Sequence, residues 1–169
     1  EAVVAAPLRR RLHLVMHDFE PGWETYIERE GYGREADLAF DQVKIEDYDA
    51  VLILGGRAPE YLRNNVCLLD LVRAFDRAEK WIFAICHGIQ VLAAAGLISG
   101  KRVTCYEHVR LEAEQAGAIY VTDEAVCDGR IVTAQTWQSH PQFYREIFAR
   151  VSGKSIVEST EQDGQAISR

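Results

Sequence analysis

Two continuous apolar runs are the clearest pattern along the chain. Ala50–Leu54 is followed directly by Gly55–Gly56, and Trp81–Ile85 is followed directly by Cys86. Runs of this length, rich in β-branched and aromatic residues, predict strands that are buried on both faces, as in a parallel sheet. Ligands of such sheets bind beyond the carboxyl ends of the strands, so the residues after both runs are candidates for a site.

Helices are predicted after each of these strands. After the first, Asn64 or Asn65 is a candidate N-cap, and the apolar residues that follow have helical spacing: Val66, Leu69, Val72 and Phe75. After the second, an Ala- and Leu-rich run ends at Gly96, a residue type that closes helices. Strand, helix and strand together predict a right-handed β-α-β unit.

The rest of the chain predicts shorter elements. Residues 7–26 have no clear period, and we interpret them as an excursion in which one short strand is an option. Asp128–Gly129 is a strong signal for a two-residue hairpin. Ser139 and Gln142 form a capping-box pattern at the start of a helix to about Ser152. The other expected elements are strands at Glu1–Ala6, Arg102–Tyr106 and Ala118–Val121, hairpin strands at Glu124–Cys127 and Arg130–Gln135, and a helix at about Glu107–Ala116.

Length and charge limit the classes of function. A chain of 169 residues is expected to form one α/β domain over residues 1–169, with a loose polar tail at 154–169. The net charge of −7 argues against a nucleic-acid surface, because the only basic cluster is Arg9–Arg11. No apolar run approaches the roughly 20 residues of a membrane span, and no leader pattern opens the chain. We therefore expect a cytoplasmic protein that acts on a small or uncharged partner.

The four cysteines predict reduced thiols and no metal site. They form no CxxC pair and have no metal-ligand spacing with the five histidines, so we expect neither metal nor cofactor. Cys67, Cys105 and Cys127 lie within predicted helix or strand and are interpreted as packing residues. Cys86 alone occupies a turn.

Cys86 is the candidate nucleophile. A turn directly from strand to helix forces its corner residue into a strained conformation and lifts that side chain clear of the sheet. Helix N–H groups near the sulfur favour thiolate over thiol. His87 is a neighbouring base, and Gly88 lets the helix begin tightly. The competing interpretation is a buried structural cysteine.

Backbone N–H groups near Cys86 predict an oxyanion site. The bare backbone of the Gly55–Gly56 turn approaches the nucleophile closely, so that the N–H of Gly56 is one donor. The N–H of His87 is the second donor, as at other strand-to-helix nucleophile turns. Together they would stabilise negative charge on a carbonyl oxygen attacked by Cys86.

Two motifs in order resemble the ThiJ/PfpI family, most closely its PfpI branch. They are Gly55–Arg63 (GGRAPEYLR) and Ala84–Gln90 (AICHGIQ), and the resemblance extends from about Ala36 to Phe148. It implies a flavodoxin-like, doubly wound sheet with the cysteine at a nucleophile elbow. Family members are described as cysteine peptidases or amidases, and relatives as glyoxalases and deglycases acting on methylglyoxal and its adducts.

The resemblance also implies roles for individual residues. The family's Cys-His-Glu triad corresponds to Cys86, His87 and Glu60, with the glutamate supplied by a neighbouring subunit. That arrangement implies a homo-oligomer with its site at an interface. Without the resemblance, Glu60 is interpreted as an exposed loop carboxylate or as a charge at the amino end of a helix. The resemblance also implies four pocket residues at the same site: Gly55, Arg57, Tyr106 and His108. Trp137 and His140, from the last strand-to-helix connection, are further candidates to face the site.

The front of the chain departs from the family pattern. Members begin with a strand and helix that place a glutamate beside the thiol, whereas this chain is expected to start at the second strand, Glu1–Ala6. A missing unit of roughly 30 residues would remove a central strand and expose unpaired backbone, so we expect a truncated sequence. Glu24 superficially resembles the family's acidic motif, but it follows a good first strand rather than ending one.

Two other functional classes compete with a cysteine-dependent enzyme. A redox sensor or chaperone-like protein would use an oxidisable Cys86, held as sulfinic acid by a neighbouring acid. A glutamine amidotransferase needs a downstream His-x-Glu, whereas this chain has His140-Pro141-Gln142. The sequence therefore favours a cysteine nucleophile that attacks a small carbonyl compound or a peptide.

Overall fold

The computed structural model describes residues 1–152 as fifteen strands and α-helices joined by turns and short 3-10 helices. In chain order they are β1 (Ala5–Ala6), β2 (Arg11–Asp18), β3 (Ile27–Glu35), β4 (Leu38–Ala39), β5 (Ala50–Ile53), α1 (Ala58–Leu62), α2 (Val66–Arg77), β6 (Trp81–Ile85), α3 (Ile89–Ala95), β7 (Arg102–Val103), α4 (Arg110–Gln115), β8 (Ile119–Tyr120), β9 (Ala125–Asp128), β10 (Ile131–Ala134) and α5 (His140–Val151). The predicted tail at 154–169 lies outside the described residues.

A four-stranded sheet in the order β5-β6-β10-β9 forms the centre of the fold. The strands β5, β6 and β10 are parallel, and β9 returns antiparallel to β10 through the turn at Gly129. Because β5 and β6 run in parallel, their carboxyl ends meet at one edge, as the two apolar runs predict. Helices α2 and α5 both contact β6, which has a neighbouring strand on each side.

The core surrounds β6. Ile82, Phe83 and Val132 are fully buried, and the Phe83 ring meets Phe143 of α5 edge to face at 6.4 Å. Burial of each such side chain contributes roughly 1.5–3 kcal/mol. Strand β5 forms one edge of the central sheet and exposes Leu52, at 39%.

The structure corrects the prediction for the first 35 residues. Only Ala5–Ala6 of the expected first strand is a strand, and it pairs in parallel with β4 as a separate two-stranded sheet. The expected excursion is instead a long antiparallel hairpin of β2 and β3, with an irregular register between His13 and Val15. Most of its side chains are exposed, so it has no clear apolar period that would reveal it in the sequence.

Two helix ends agree with the sequence-based prediction, and a third does not. Asn65, rather than Asn64, caps α2, its Oδ1 accepting a hydrogen bond from the N–H of Leu68 at 3.0 Å. Gly96 closes α3 with a φ of 76°. The predicted capping box at Ser139 does not form, because Ser139 ends a 3-10 turn and lacks the extended backbone that a cap requires.

Several predicted elements are shorter than expected. The strand expected at Arg102–Tyr106 ends at Val103, and the one expected at Ala118–Val121 covers Ile119–Tyr120. The helix expected from Glu107 begins with a 3-10 turn and becomes α4 only at Arg110. Helix α1, directly after the Gly55–Gly56 turn, was not predicted.

Candidate active site

Cys86 occupies a strained turn between β6 and α3. Its φ is 59°, in the left-handed region that non-glycine residues rarely adopt, and it begins the 3-10 turn Cys86–Gly88. Gly88 is needed for this turn, because a Cβ there would lie 2.8 Å from the carbonyl oxygen of Ile53. The geometry is that of a nucleophile elbow.

Gly55 supplies the other wall of the turn. A Cβ at position 55 would lie 2.7 Å from the Cβ of Cys86 and 3.1 Å from the carbonyl oxygen of Ile85. Two separate strand ends therefore meet at the sulfur, and only glycine at position 55 permits the approach.

The Cys86 thiol is buried and hydrogen-bonded. Its Sγ lies 3.3 Å from Nδ1 of His87, and the backbone N–H groups of His87 and Gly56 are near enough to lower the pKa of the thiol. Burial raises the pKa of Cys86 above its ordinary value, and the two N–H groups only partly oppose that rise. The backbone N–H groups favour the thiolate, as the sequence predicts, but burial has the larger effect and favours the thiol.

His87 is held in its neutral form. Burial lowers the pKa of its imidazole, and the negative charge of Glu60 is the largest effect in the opposite direction. A neutral thiol therefore lies beside a neutral imidazole, the pairing in which a histidine accepts the proton of an attacking nucleophile.

Aromatic residues from three parts of the chain enclose this pair. Tyr26, from the segment that enters β3, meets His87 edge-on at 6.1 Å between ring centroids and Tyr106 at 5.2 Å. Trp137, before α5, lies 6.0 Å from Tyr26 and stacks on Phe19 at 5.1 Å. Burial and the neighbouring Cys86 raise the pKa of Tyr26 beyond its ordinary value, so its hydroxyl stays protonated.

The two other pocket candidates beside Tyr26 differ in position. Tyr106 is buried, and its hydroxyl lies 3.0 Å from Oγ1 of Thr25. His108 packs edge-on against Tyr106 at 4.9 Å but is itself exposed, with Nε2 3.2 Å from the carbonyl oxygen of Glu24. Tyr106 therefore lines the enclosure, whereas His108 ties its outer side to the segment before β3.

Arg57 is engaged in an ion pair. Its guanidinium lies 2.8 Å from a carboxylate oxygen of Glu28, whose other oxygen lies 3.2 Å from Nε2 of His17. His17 and Glu28 belong to the unpredicted hairpin, and His17 lies beside the Gly56 turn. Sequence reasoning missed His17 and Tyr26, because only the tertiary fold of the hairpin brings them to the site, and it gave Glu28 only as one of four acidic residues that could supply a catalytic carboxylate, with a solvated charged face as the commoner explanation.

The remaining candidates lie further out. Glu60 is exposed on α1, and His140 is exposed at the start of α5, where its ring packs on Tyr144 at 5.3 Å. Glu24 contributes its backbone carbonyl to His108 rather than a carboxylate to the thiol.

Residues 1–152 contain neither a metal-binding cluster nor a helix that could span a membrane. No three His, Cys, Asp or Glu side chains in that part of the chain are grouped as a metal site. In the same range, every helix is too short or too polar to cross a bilayer.

A family model decides the relationship of this chain to known proteins. The DJ-1/PfpI family model matches residues 6–150. The chain belongs to the DJ-1/PfpI family. The resemblance seen in the GGRAPE and AICHG motifs is thereby confirmed.

Relatives within the DJ-1/PfpI family carry several names. Protein DJ-1 homolog D of Arabidopsis thaliana is 39% identical over 82% of this chain, which spans 37% of that protein. General stress protein 18 of Bacillus subtilis is 40% identical over 67% of this chain and 66% of its own length. Deglycase PfpI of Pyrococcus furiosus is 34% identical over 69% of this chain and 75% of its own length.

Solved structures of family members share the fold. A two-domain protein of Anabaena variabilis, with DJ-1/ThiJ/PfpI-like and ferritin-like domains, superposes with a TM-score of 0.70 at 30% identity, covering 72% of this chain and 35% of that one. A ThiJ/PfpI domain protein of Brachyspira murdochii gives 0.70 at 25% identity, covering 74% and 72%. The predicted flavodoxin-like, doubly wound α/β fold is confirmed.

Proposed function

We propose that this DJ-1/PfpI protein is a cysteine-dependent enzyme in which Cys86 attacks a carbonyl carbon. The observation that carries the proposal is the strained Cys86, with Sγ 3.3 Å from Nδ1 of His87 and the N–H groups of Gly56 and His87 near enough to favour its thiolate form. Family relatives named deglycases support enzymatic activity.

The chemistry follows from the neutral resting pair. As substrate binds, the thiol proton moves to Nδ1 of His87 and the Sγ electron pair forms a bond to the carbonyl carbon. The displaced π pair becomes an oxyanion close to the N–H groups of Gly56 and His87. His87 then returns its proton to that oxygen, which completes a hemithioacetal when the substrate is an aldehyde.

The enclosure favours a compact substrate. Tyr26 and Tyr106 pack beside His87, Trp137 packs on Tyr26, and Cys86 is only 4% exposed, which suits a small α-oxoaldehyde such as methylglyoxal, or its adducts, better than an extended peptide. Hydrolysis of an amide or peptide by the same thiol is the second reaction of this class. Gly55 provides clearance for the elbow, and Arg57 and His108 hold the outer side of the enclosure.

Glu60 is proposed to orient His87. Its carboxylate is exposed on α1, yet its charge is the largest that favours protonated His87. A homo-oligomer in which Glu60 also reaches a neighbouring site remains part of the proposal. We expect Glu60→Gln to lower kcat by about tenfold, with the oligomeric state measured in parallel by analytical ultracentrifugation.

Redox sensing through Cys86 is the weaker hypothesis. Thiolates, not thiols, are oxidised readily, and burial raises the pKa of this thiol. Exposed Cys67 would be oxidised first.

The decisive comparison is methylglyoxal consumption by the wild type, Cys86→Ala and Cys67→Ala. Cys67 is exposed on α2, so its variant controls for loss of any thiol. We expect Cys86→Ala to lose turnover and Cys67→Ala to retain it. Equal turnover in the wild type and Cys86→Ala would overturn the proposal. If the wild type instead hydrolyses a chromogenic amide and this activity depends on Cys86, the α-oxoaldehyde is the wrong substrate, but Cys86 is still the nucleophile.

A further inference from the structure

Glu112 of α4 joins three helices close to the site. One of its carboxylate oxygens, Oε2, lies 2.7 Å from Nη1 of Arg63, just after α1, and accepts a hydrogen bond from Nε2 of Gln90, on α3, at 2.9 Å. Helix α3 is in contact with α1 and α4, and α1 also contacts the turn Cys86–Gly88. The Glu112 carboxylate therefore links the helix after the Gly55–Gly56 turn to the helix after the nucleophile.

The Gln90 amide fits this link in one orientation only. Gln90 is 3% exposed and lies three residues after His87. Its Nε2 donates to the Glu112 carboxylate, whereas the opposite orientation would set two acceptor oxygens against each other. Oε1 of Gln90 is buried, and nothing in residues 1–152 donates a hydrogen bond to it. Within the described residues the bond to Glu112 therefore holds this buried side chain, and its loss would leave the whole amide without a partner.

Arg63 carries the link to the helix of Glu60. Helix α1 has five residues, Ala58–Leu62, and Arg63 follows it directly. A helix this short has little stability of its own, so its position depends on contacts with its neighbours. The ion pair of Arg63 with Glu112 is such a contact, and both side chains are partly shielded from water. Breaking this pair is therefore expected to loosen α1 and to move Glu60.

The charges that act most strongly on His87 lie on these same helices. Burial lowers the pKa of His87, and Glu60 and then Glu112 have the largest effects in the opposite direction. His17 and Glu28 of the hairpin act more weakly, the first lowering and the second raising the same pKa. Glu112 can therefore influence His87 in two ways, through its own charge and through the helix that carries Glu60.

We propose that Glu112 is a positioning residue for His87. By holding Arg63 and Gln90 it fixes α1 against α3, and Glu60 on α1 is thereby kept where its carboxylate orients the imidazole. The inference rests on the function proposed for this site. It goes beyond that function by assigning the placement of Glu60 to a residue of α4.

The decisive variant is Arg63→Gln, because direct charge and positioning predict opposite results. Loss of a positive charge by itself raises the pKa of a nearby imidazole. If Glu60 moves away when the ion pair is broken, the pKa of His87 falls instead. We would follow it by NMR of isotope-labelled histidine, with the His87 signal assigned by its absence from His87→Asn. Glu114→Gln is the matched control, since Glu114 lies on α4 and pairs with exposed Arg110.

We expect the pKa of His87 to fall in Arg63→Gln and in Glu112→Gln. Glu114→Gln should keep the wild-type value. In a Glu60→Gln background, Arg63→Gln should no longer lower the pKa, because the side chain that it displaces carries no charge. With methylglyoxal as substrate, kcat should be about fivefold lower in Arg63→Gln and in Glu112→Gln, with KM within about twofold of the wild type. Either change should lower kcat by less than about twofold when Glu60→Gln is already present.

Two results would overturn the inference. One is a pKa of His87 that rises or stays unchanged in Arg63→Gln, and the other is an equal fall with and without Glu60→Gln. If Arg63→Gln does not fold, Glu112→Gln must lose most of its effect on the His87 pKa in the Glu60→Gln background, and equal effects in both backgrounds contradict the inference. The NMR measurement needs no turnover, so a wild type that consumes no methylglyoxal refutes the proposed function and is a distinct result.

Discussion

A Cβ on Gly55 would lie 2.7 Å from the Cβ of Cys86, so the two strand ends at the site are packed as closely as backbone allows. This contact joins the Gly55–Gly56 turn to the elbow. It makes the nucleophile's position depend on a residue with no functional group of its own.

Substitution of Gly55 therefore tests the elbow. We expect Gly55→Ala to push Cys86 from its position, lower kcat/KM by about 100-fold and cost about 1–3 kcal/mol of unfolding free energy. Gly129→Ala is the control, because its φ of 61° imposes a strain of about 1–2 kcal/mol in the β9–β10 turn. We expect the two variants to lose comparable stability. Turnover should be unchanged in Gly129→Ala and lost in Gly55→Ala. Full activity in Gly55→Ala would show that the close approach is dispensable.

The pKa shifts predict how thiol reactivity depends on pH. Since burial raises the pKa of Cys86, the thiolate fraction increases with pH throughout the neutral range, and iodoacetamide alkylation should accelerate up to about pH 9 without a plateau. Peptide mass spectrometry resolves the cysteines separately. Exposed Cys67 serves as the reference, and Cys105, whose pKa burial raises to about 12, should stay unmodified. A plateau for Cys86 below about pH 7 would contradict the neutral resting thiol.

Trp137 is predicted to anchor the hairpin over the site. Its ring contacts Phe19, His17 and Tyr26. Trp137→Ala should release residues 11–35, seen as faster amide hydrogen exchange there, at a cost of about 1–3 kcal/mol in unfolding free energy. Tyr144→Ala, on the exposed side of α5, should leave hairpin exchange unchanged. Equal exchange in both variants would mean that the hairpin is held by other contacts.

The start of α2 offers a matched pair of asparagines. Asn65 caps the helix through the N–H of Leu68, so Asn65→Ala should lower the unfolding free energy by about 1 kcal/mol in urea titrations. Asn64 makes only an exposed 3.3 Å hydrogen bond from Nδ2 to the carbonyl oxygen of Glu60, so Asn64→Ala should cost less than half as much. The reverse order would show that the cap is assigned to the wrong residue.

Strands with buried side chains can be predicted from the sequence, whereas strands with exposed side chains cannot. Trp81–Ile85 is predicted to its last residue because it is buried on both faces and ends at a turn. The β2–β3 hairpin escapes prediction because its side chains are largely exposed and carry no buried period.

Residues of the site likewise fall into those that local sequence motifs reveal and those that only tertiary contacts bring together. Cys86, His87 and the Gly55–Gly56 turn are local to two strand ends, and their motifs reveal them. His17, Tyr26 and Glu28 reach the site only through tertiary contacts of the hairpin. The direction of the Cys86 pKa shift also depends on tertiary burial, which outweighs the local backbone donors.

The most direct test of the central claim is intact-protein mass spectrometry after brief mixing with methylglyoxal and acid quench. We expect a covalent adduct of one methylglyoxal that peptide mapping places on Cys86 and that forms and decays at rates compatible with turnover. The adduct should be missing in Cys86→Ala but present in Cys67→Ala. Turnover of methylglyoxal without any adduct on Cys86, or with equal adduct in Cys86→Ala, would contradict it.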